Sequence, residues 1–140
     1  MIRAAIRYLE SASPVADLAL RLWVANVFFK SGVNKFQSMD TTLMLFQYEY
    51  AVPILPYDVA AYLATGVELV FPVLLAIGLA GRVSAAVLFV FNIAAVVSYP
   101  TMNAAGQLQH LMWGIMLLFP LLHGPGKISL DHLIGRKYLE

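Results

Sequence analysis

"LATGVELVFPVLLAIGLAG", residues 63–81, carries one charged side chain, Glu68, among residues that are otherwise apolar or small. Its length approaches the roughly 20 residues with which an α-helix crosses a hydrocarbon core about 30 Å thick. In such a helix Glu68 lies far from either membrane face, where a charge costs about 2.5–3.5 kcal/mol and is retained for a partner or a task. The reading of this stretch decides both the fold class and where to look for function.

Three further stretches share its character, so that apolar runs fall at about 15–33, 59–80, 83–99 and 106–123. Barrel strands would alternate polar and apolar residues over about 10 positions, and these runs do not. The composition, 61% hydrophobic and 12% charged, is too apolar for a soluble domain. The expectation is an all-α integral membrane four-helix bundle, a single domain over 1–140. Ser13 and Pro14 are expected to start the first span, Pro53 and Pro56 to precede the second, Pro100 to close the third and Gly124-Pro125-Gly126 to stop the fourth. Pro72, one turn after Glu68, removes a backbone donor within the second span and is expected to bend it.

Charge gives a direction. With four spans, the N-terminus, the 2–3 loop and the C-terminus share one side, and these carry Arg3, Arg7, Arg82, Lys127, Arg136 and Lys137, against Lys35 alone in the other loops. The positive-inside rule then puts both termini in the cytoplasm. Interfacial helices are expected at both ends. Ile2, Ala5, Ile6 and Leu9 recur at helical spacing beside Arg3 and Arg7; after a Ser129 cap, Leu130, Leu133, Ile134 and Tyr138 do so beside Arg136 and Lys137. The 1–2 connection, Asn34 to Asp58, is rich in Leu, Met, Phe and Tyr and suggests a third surface helix, starting from an Asp40 cap and lying over the bundle as an aromatic anchor or a lid.

Several chemistries are excluded. Without cysteine the chain has no thiolate nucleophile, no thiolate-bound iron–sulfur cluster and no covalently attached haem. Nine basic against eight acidic residues provide no electrostatic hold on nucleic acid. The three histidines lie toward opposite ends and suggest neither a haem nor a metal site. The first span lacks a small-x-small cleavage pattern in "FFKSGVNKF" (28–36) and is expected to remain as an anchor.

The candidate site is a set of polar residues inside the spans: Arg21, Lys30, Glu68, Asn92, His110 and Trp113. At 1.5 Å per residue, Arg21 and Lys30 lie roughly 10 and 24 Å from the inner face and Glu68 roughly 15 Å from the outer one. Arg21 is thus within reach of Glu68 as a structural ion pair, though Asp17 could take Arg21 locally and leave Glu68 free for proton transfer or ligand binding. Arg21 and Lys30 occupy nearly opposite faces of the first helix. Lys30, Glu68, Asn92, His110 and Trp113 together could line an outward-opening cavity, with Asn92 also suited to a simple interhelical hydrogen bond.

In its order of "LRLWVANVFFKSGVNKF" (20–36), "YEYAVPILP" (48–56), "ELVFPVLLAIGLAGR" (68–82) and "GPGKISLDHLI" (124–134), the chain resembles the DoxX family of small bacterial inner-membrane proteins over nearly its whole length. The resemblance implies a four-helix inner-membrane protein associated with thiosulfate–quinone oxidation or oxidative-stress complexes. Combined with the polar cluster, it suggests an accessory subunit of a redox system, non-catalytic or weakly catalytic, with a soluble or membrane redox partner and a quinone head group presented to Lys30, Glu68 and His110. Two other classes stay open: a small proton-coupled transporter working through Glu68, as a homodimer, and a scaffold that recruits proteins to the membrane.

Overall fold

Each apolar run forms a helix whose core stripe recurs every three or four residues, and the bundle closes by burying those stripes against one another. The computed structural model describes the backbone of residues 2–139 and the side chains of residues 2–137. Six helices follow in order: α1 (Ile2–Gln37), α2 (Met39–Tyr48), α3 (Tyr57–Ile77), α4 (Gly81–Ser98), α5 (Ala104–His123) and α6 (Leu130–Leu139). Among the described residues, α1, α3, α4 and α5 are long and apolar enough to cross a membrane. Helix α1 packs on α3, α3 on α4, α4 on α5, and α5 returns to α1. The core they enclose is Val24, Ala25 and Phe28 of α1, Leu75 of α3, Ala85 and Leu88 of α4, and Leu117 of α5. Outward-facing Val70, Val73, Val83, Val90, Val97, Leu111 and Ile115 stay exposed, the surface a helix presents to lipid.

Two expected boundaries move. The first span does not start at a Ser13 cap after a separate interfacial helix: α1 runs unbroken from Ile2 with Pro14 inside it. Proline removes one intrahelical hydrogen bond, and that loss falls where α1 has left the bundle and residues 2–13 are exposed, so nothing packed nearby must shift. The short helix in the 1–2 connection exists, but Ser38 rather than Asp40 holds its cap position, with no side-chain cap bond. Instead the Thr42 hydroxyl lies 3.1 Å from the Ser38 carbonyl and 3.2 Å from that of Lys35, tying α2 to the end of α1.

The end that carries both termini is locked by Arg21. This buried guanidinium donates from Nε and Nη2 to the Ala76 carbonyl (3.3 and 3.1 Å), from Nη2 to Ile128 (2.7 Å), and from Nη1 to Pro125. A cation there satisfies the open carbonyls at the C-terminus of α3 and complements its dipole. Gly78 must be glycine: its φ of +71° is left-handed, and a Cβ would meet the Ser129 Cβ at 2.4 Å and the Arg21 guanidinium carbon at 3.3 Å. Asp131 accepts from the backbone of Ala80 (2.8 Å) and Gly81 (2.7 Å), capping α4 from across the chain. Ser129 caps α6 as its position implies, accepting from His132 N at 3.2 Å. Helix α6 then exposes Leu130, Leu133 and Ile134 beside Arg136 and Lys137; the side chain of Tyr138, expected on the same face, lies outside the described residues.

Candidate functional site: a polar cavity near the middle of the spans

At the opposite end the bundle opens into a cavity of about 510 Å³, lined by α1, α3, α4 and α5 and by α2 with the loop after it. Its walls are aromatic. Phe28 meets Phe91 and Trp113 edge-on at 6.3 and 6.0 Å, Tyr50 meets Phe46 and Tyr99 at 4.9 and 5.0 Å, and His110 meets Trp113 at 4.8 Å. Each lies in the geometry that aromatic quadrupoles favour. Tyr50 sits in the connection between α2 and α3, where burial, and then the neighbouring Tyr99, raise its phenol pKa; at neutral pH it is a hydroxyl donor.

Within these walls Lys35 Nζ lies 2.6 Å from Glu68 Oε2 and 2.8 Å from Ser31 Oγ. The Glu68 side chain is 5% exposed and that of Lys35 20%, so the pair is sheltered but open on the lysine side. An ammonium has three hydrogens, and these two contacts leave one for a ligand. Gly32 makes the approach possible: a Cβ there would fall 2.8–2.9 Å from the backbone and Cβ of Glu68, so α1 and α3 meet backbone to backbone at that height. Because Ser31, Gly32 and Lys35 are successive positions on one face of α1, the close contact delivers hydroxyl and ammonium together to the carboxylate.

The second polar unit joins α4 to α5. Asn92 Nδ2 donates to the His110 carbonyl at 2.8 Å, which leaves Oδ1 as the acceptor facing His110 Nδ1 at 2.7 Å. Nδ1 therefore carries the hydrogen, and Nε2 is the ring nitrogen available to a ligand. Gly114 gives this amide its room, since a Cβ there would lie 3.2 Å from Asn92 Nδ2.

The six residues singled out in the sequence are thus divided. Glu68, His110 and Trp113 line the cavity, and Asn92 holds His110 from behind. The Arg21–Glu68 pair does not form: Arg21 is at the far end, bound to carbonyls, and Lys35 takes the carboxylate. Lys30 is exposed on the outside of α1 and does not line the cavity. Lys35 is not among those six: the hydropathy run ends at Val33, which puts Lys35 in the 1–2 connection, whereas α1 continues to Gln37. The available signal was Ser31 and Lys35 at i, i+4 flanking Gly32.

Comparison with known proteins adds kinship. The DoxX family's sequence model matches residues 16–101. An uncharacterized protein of Haemophilus influenzae is 32% identical over 133 residues, covering 90% of this chain and 87% of that one. No solved structure matches.

Proposed function

Since the chain belongs to the DoxX family of multi-pass membrane proteins, we propose that it is an accessory membrane subunit of a redox or stress-response system whose cavity receives a quinone head group. One observation carries this reading: a cavity walled in part by aromatic rings also holds the Lys35–Glu68 pair, whose carboxylate stands midway along α3. A quinone ring stacks on aromatic faces, and its carbonyl oxygens accept hydrogen bonds of the kind the Lys35 ammonium and the Tyr50 hydroxyl supply. Glu68 and His110 are the groups able to hold and release the protons that accompany quinone reduction. Electrons would come from the partner protein.

We place the chain in the bacterial inner membrane with both termini cytoplasmic and the cavity end outward. The support is the clustering of Arg3, Arg7, Arg82, Lys127, Arg136 and Lys137 at the end locked by Arg21.

The test is extraction into nanodiscs from native membranes, followed by mass spectrometry of the bound lipid-soluble molecules and titration with a short-chain quinone. Co-extracted quinone that is displaced by the analogue, with affinity lowered in Tyr50→Phe and Lys35→Met, is the expected result. Absence of quinone together with no analogue binding would reject it. A paired Glu68 beside Pro72 also suits proton-coupled transport, and proteoliposome flux abolished by Glu68→Gln would favour that reading instead.

A further inference from the structure

The lipid-facing surface of α3, α4 and α5 is apolar through the middle of each span, but that of α1 is not. Asn26, Lys30 and Asn34 follow one another at i, i+4 and i+8 on the outside of α1, all exposed. Among the described residues none of the three side chains has a hydrogen-bond or ion-pair partner.

Their depth is fixed by internal landmarks. Gly32 abuts Glu68, which lies midway along α3 (Tyr57–Ile77). Phe28 meets Phe91 of α4 (Gly81–Ser98) and Trp113 of α5 (Ala104–His123), each near the middle of its own helix. Lys30, between Phe28 and Gly32, is therefore at the mid-level of three spans and not near the outer end, where a count from Pro14 put it. An ammonium in that position, facing hydrocarbon, carries a large desolvation penalty. Snorkelling toward a head group helps only the lysine: Asn26, a turn further toward the end that carries both termini, has no long arm to extend.

We propose that this face of α1 docks against a transmembrane helix of another polypeptide that presents a carboxylate at mid-membrane, with Lys30 as its counter-charge and Asn26 and Asn34 hydrogen-bonding across the interface. The choice of a different polypeptide over a second copy follows from charge. The eight acidic residues of this chain are Glu10, Asp17, Asp40, Glu49, Asp58, Glu68, Asp131 and Glu140, and among the described ones Glu68 alone lies at that height, buried and already paired with Lys35. A two-fold copy would bring Lys30 against Lys30. Only a foreign helix can supply the missing charge, and interhelical hydrogen bonds from asparagine fit the way membrane helices associate. The surface is separate from the cavity, so its occupant is independent of what the cavity binds.

The experiment is photocrosslinking in native membranes, with a diazirine side chain introduced at Asn34 in the full-length chain and the adducts mapped by mass spectrometry. The expected adduct is a peptide from a spanning segment of another protein containing Asp or Glu. It should fall at least tenfold in Lys30→Leu and return in Lys30→Arg; with Lys30→Glu it should be recovered by changing the partner's carboxylate to Lys. Lys30→Leu should leave the melting temperature of the isolated chain unchanged, which separates loss of docking from loss of fold. Adducts to lipid alone, adducts to a second copy, a partner segment without a carboxylate, or a yield indifferent to Lys30→Leu would each overturn the proposal.

Discussion

Gly32 of α1 lies directly on the backbone of Glu68 in α3, so that a single added carbon would sit 2.8 Å from the Glu68 carbonyl carbon. This contact brings the two helices close enough for Lys35, less than a turn further along α1, to reach the Glu68 carboxylate at 2.6 Å. The polar centre of the cavity is thus a consequence of helix packing.

Gly32→Ala should therefore separate α1 from α3. The contact is with backbone, which cannot rotate away, and overpacking of this kind costs about 1–3 kcal/mol. Thermal unfolding in detergent should show the loss, and quinone-analogue affinity should fall with it. Gly66→Ala, on the exposed face of α3 with nothing within 4 Å of its new carbon, is the control and should be neutral or slightly stabilising.

The Lys35–Glu68 pair is testable by a double-mutant cycle. Lys35→Met leaves an uncompensated carboxylate in a site 5% exposed, and breaking a buried pair costs about 3 kcal/mol or more. Adding Glu68→Leu should recover most of that loss, because no buried charge then remains unpaired. Denaturant unfolding in mixed micelles measures both, and a coupling free energy near zero would show that the two groups do not depend on each other.

Arg21→Lys should be far from conservative. A single ammonium cannot replace a fork that reaches Ala76, Pro125 and Ile128 together. With hydrogen bonds from a charged donor worth about 1.5–3 kcal/mol each, losing even one lowers stability by about 2 kcal/mol. Limited proteolysis between His123 and Leu130 should accelerate, since that connection loses its tether.

Asn92→Leu removes both bonds to His110. Interhelical hydrogen bonds in membranes average about 0.6 kcal/mol, so the stability cost should be near 1 kcal/mol. The more telling readout is the imidazole: nitrogen chemical shifts should report one tautomer, hydrogen on Nδ1, in the native chain and a mixture in the variant. The same mixture in both would mean that Asn92 does not orient the ring.

How much was legible in the sequence depends on the range of the interaction. The four spans follow from hydropathy, which is local, and their observed limits fall within a few residues of the apolar runs except where α1 continues into polar sequence at both ends. The Ser129 cap and the surface helix between the first two spans follow from local patterns too. Depth counted along one helix located Glu68 correctly near the middle of its span, yet it misplaced Lys30, because the count took Pro14 as the membrane boundary whereas α1 passes through Pro14 and extends beyond the bundle. The motif "GPGKISLDHLI" gave no hint in the sequence that its carbonyls receive Arg21 or that its aspartate caps α4, bonds spanning 50 or more residues.

By itself the sequence determined that this chain is a bundle of membrane-crossing helices with a carboxylate inside it, because apolar length and helical periodicity are properties of each segment alone. The tertiary structure decided which cation meets that carboxylate, which histidine face is held, and which lysine is left outside. Those outcomes depend on the distance and rotational phase between helices, set where Gly32 and Gly114 let backbones and side chains approach, and no count along a single helix contains them.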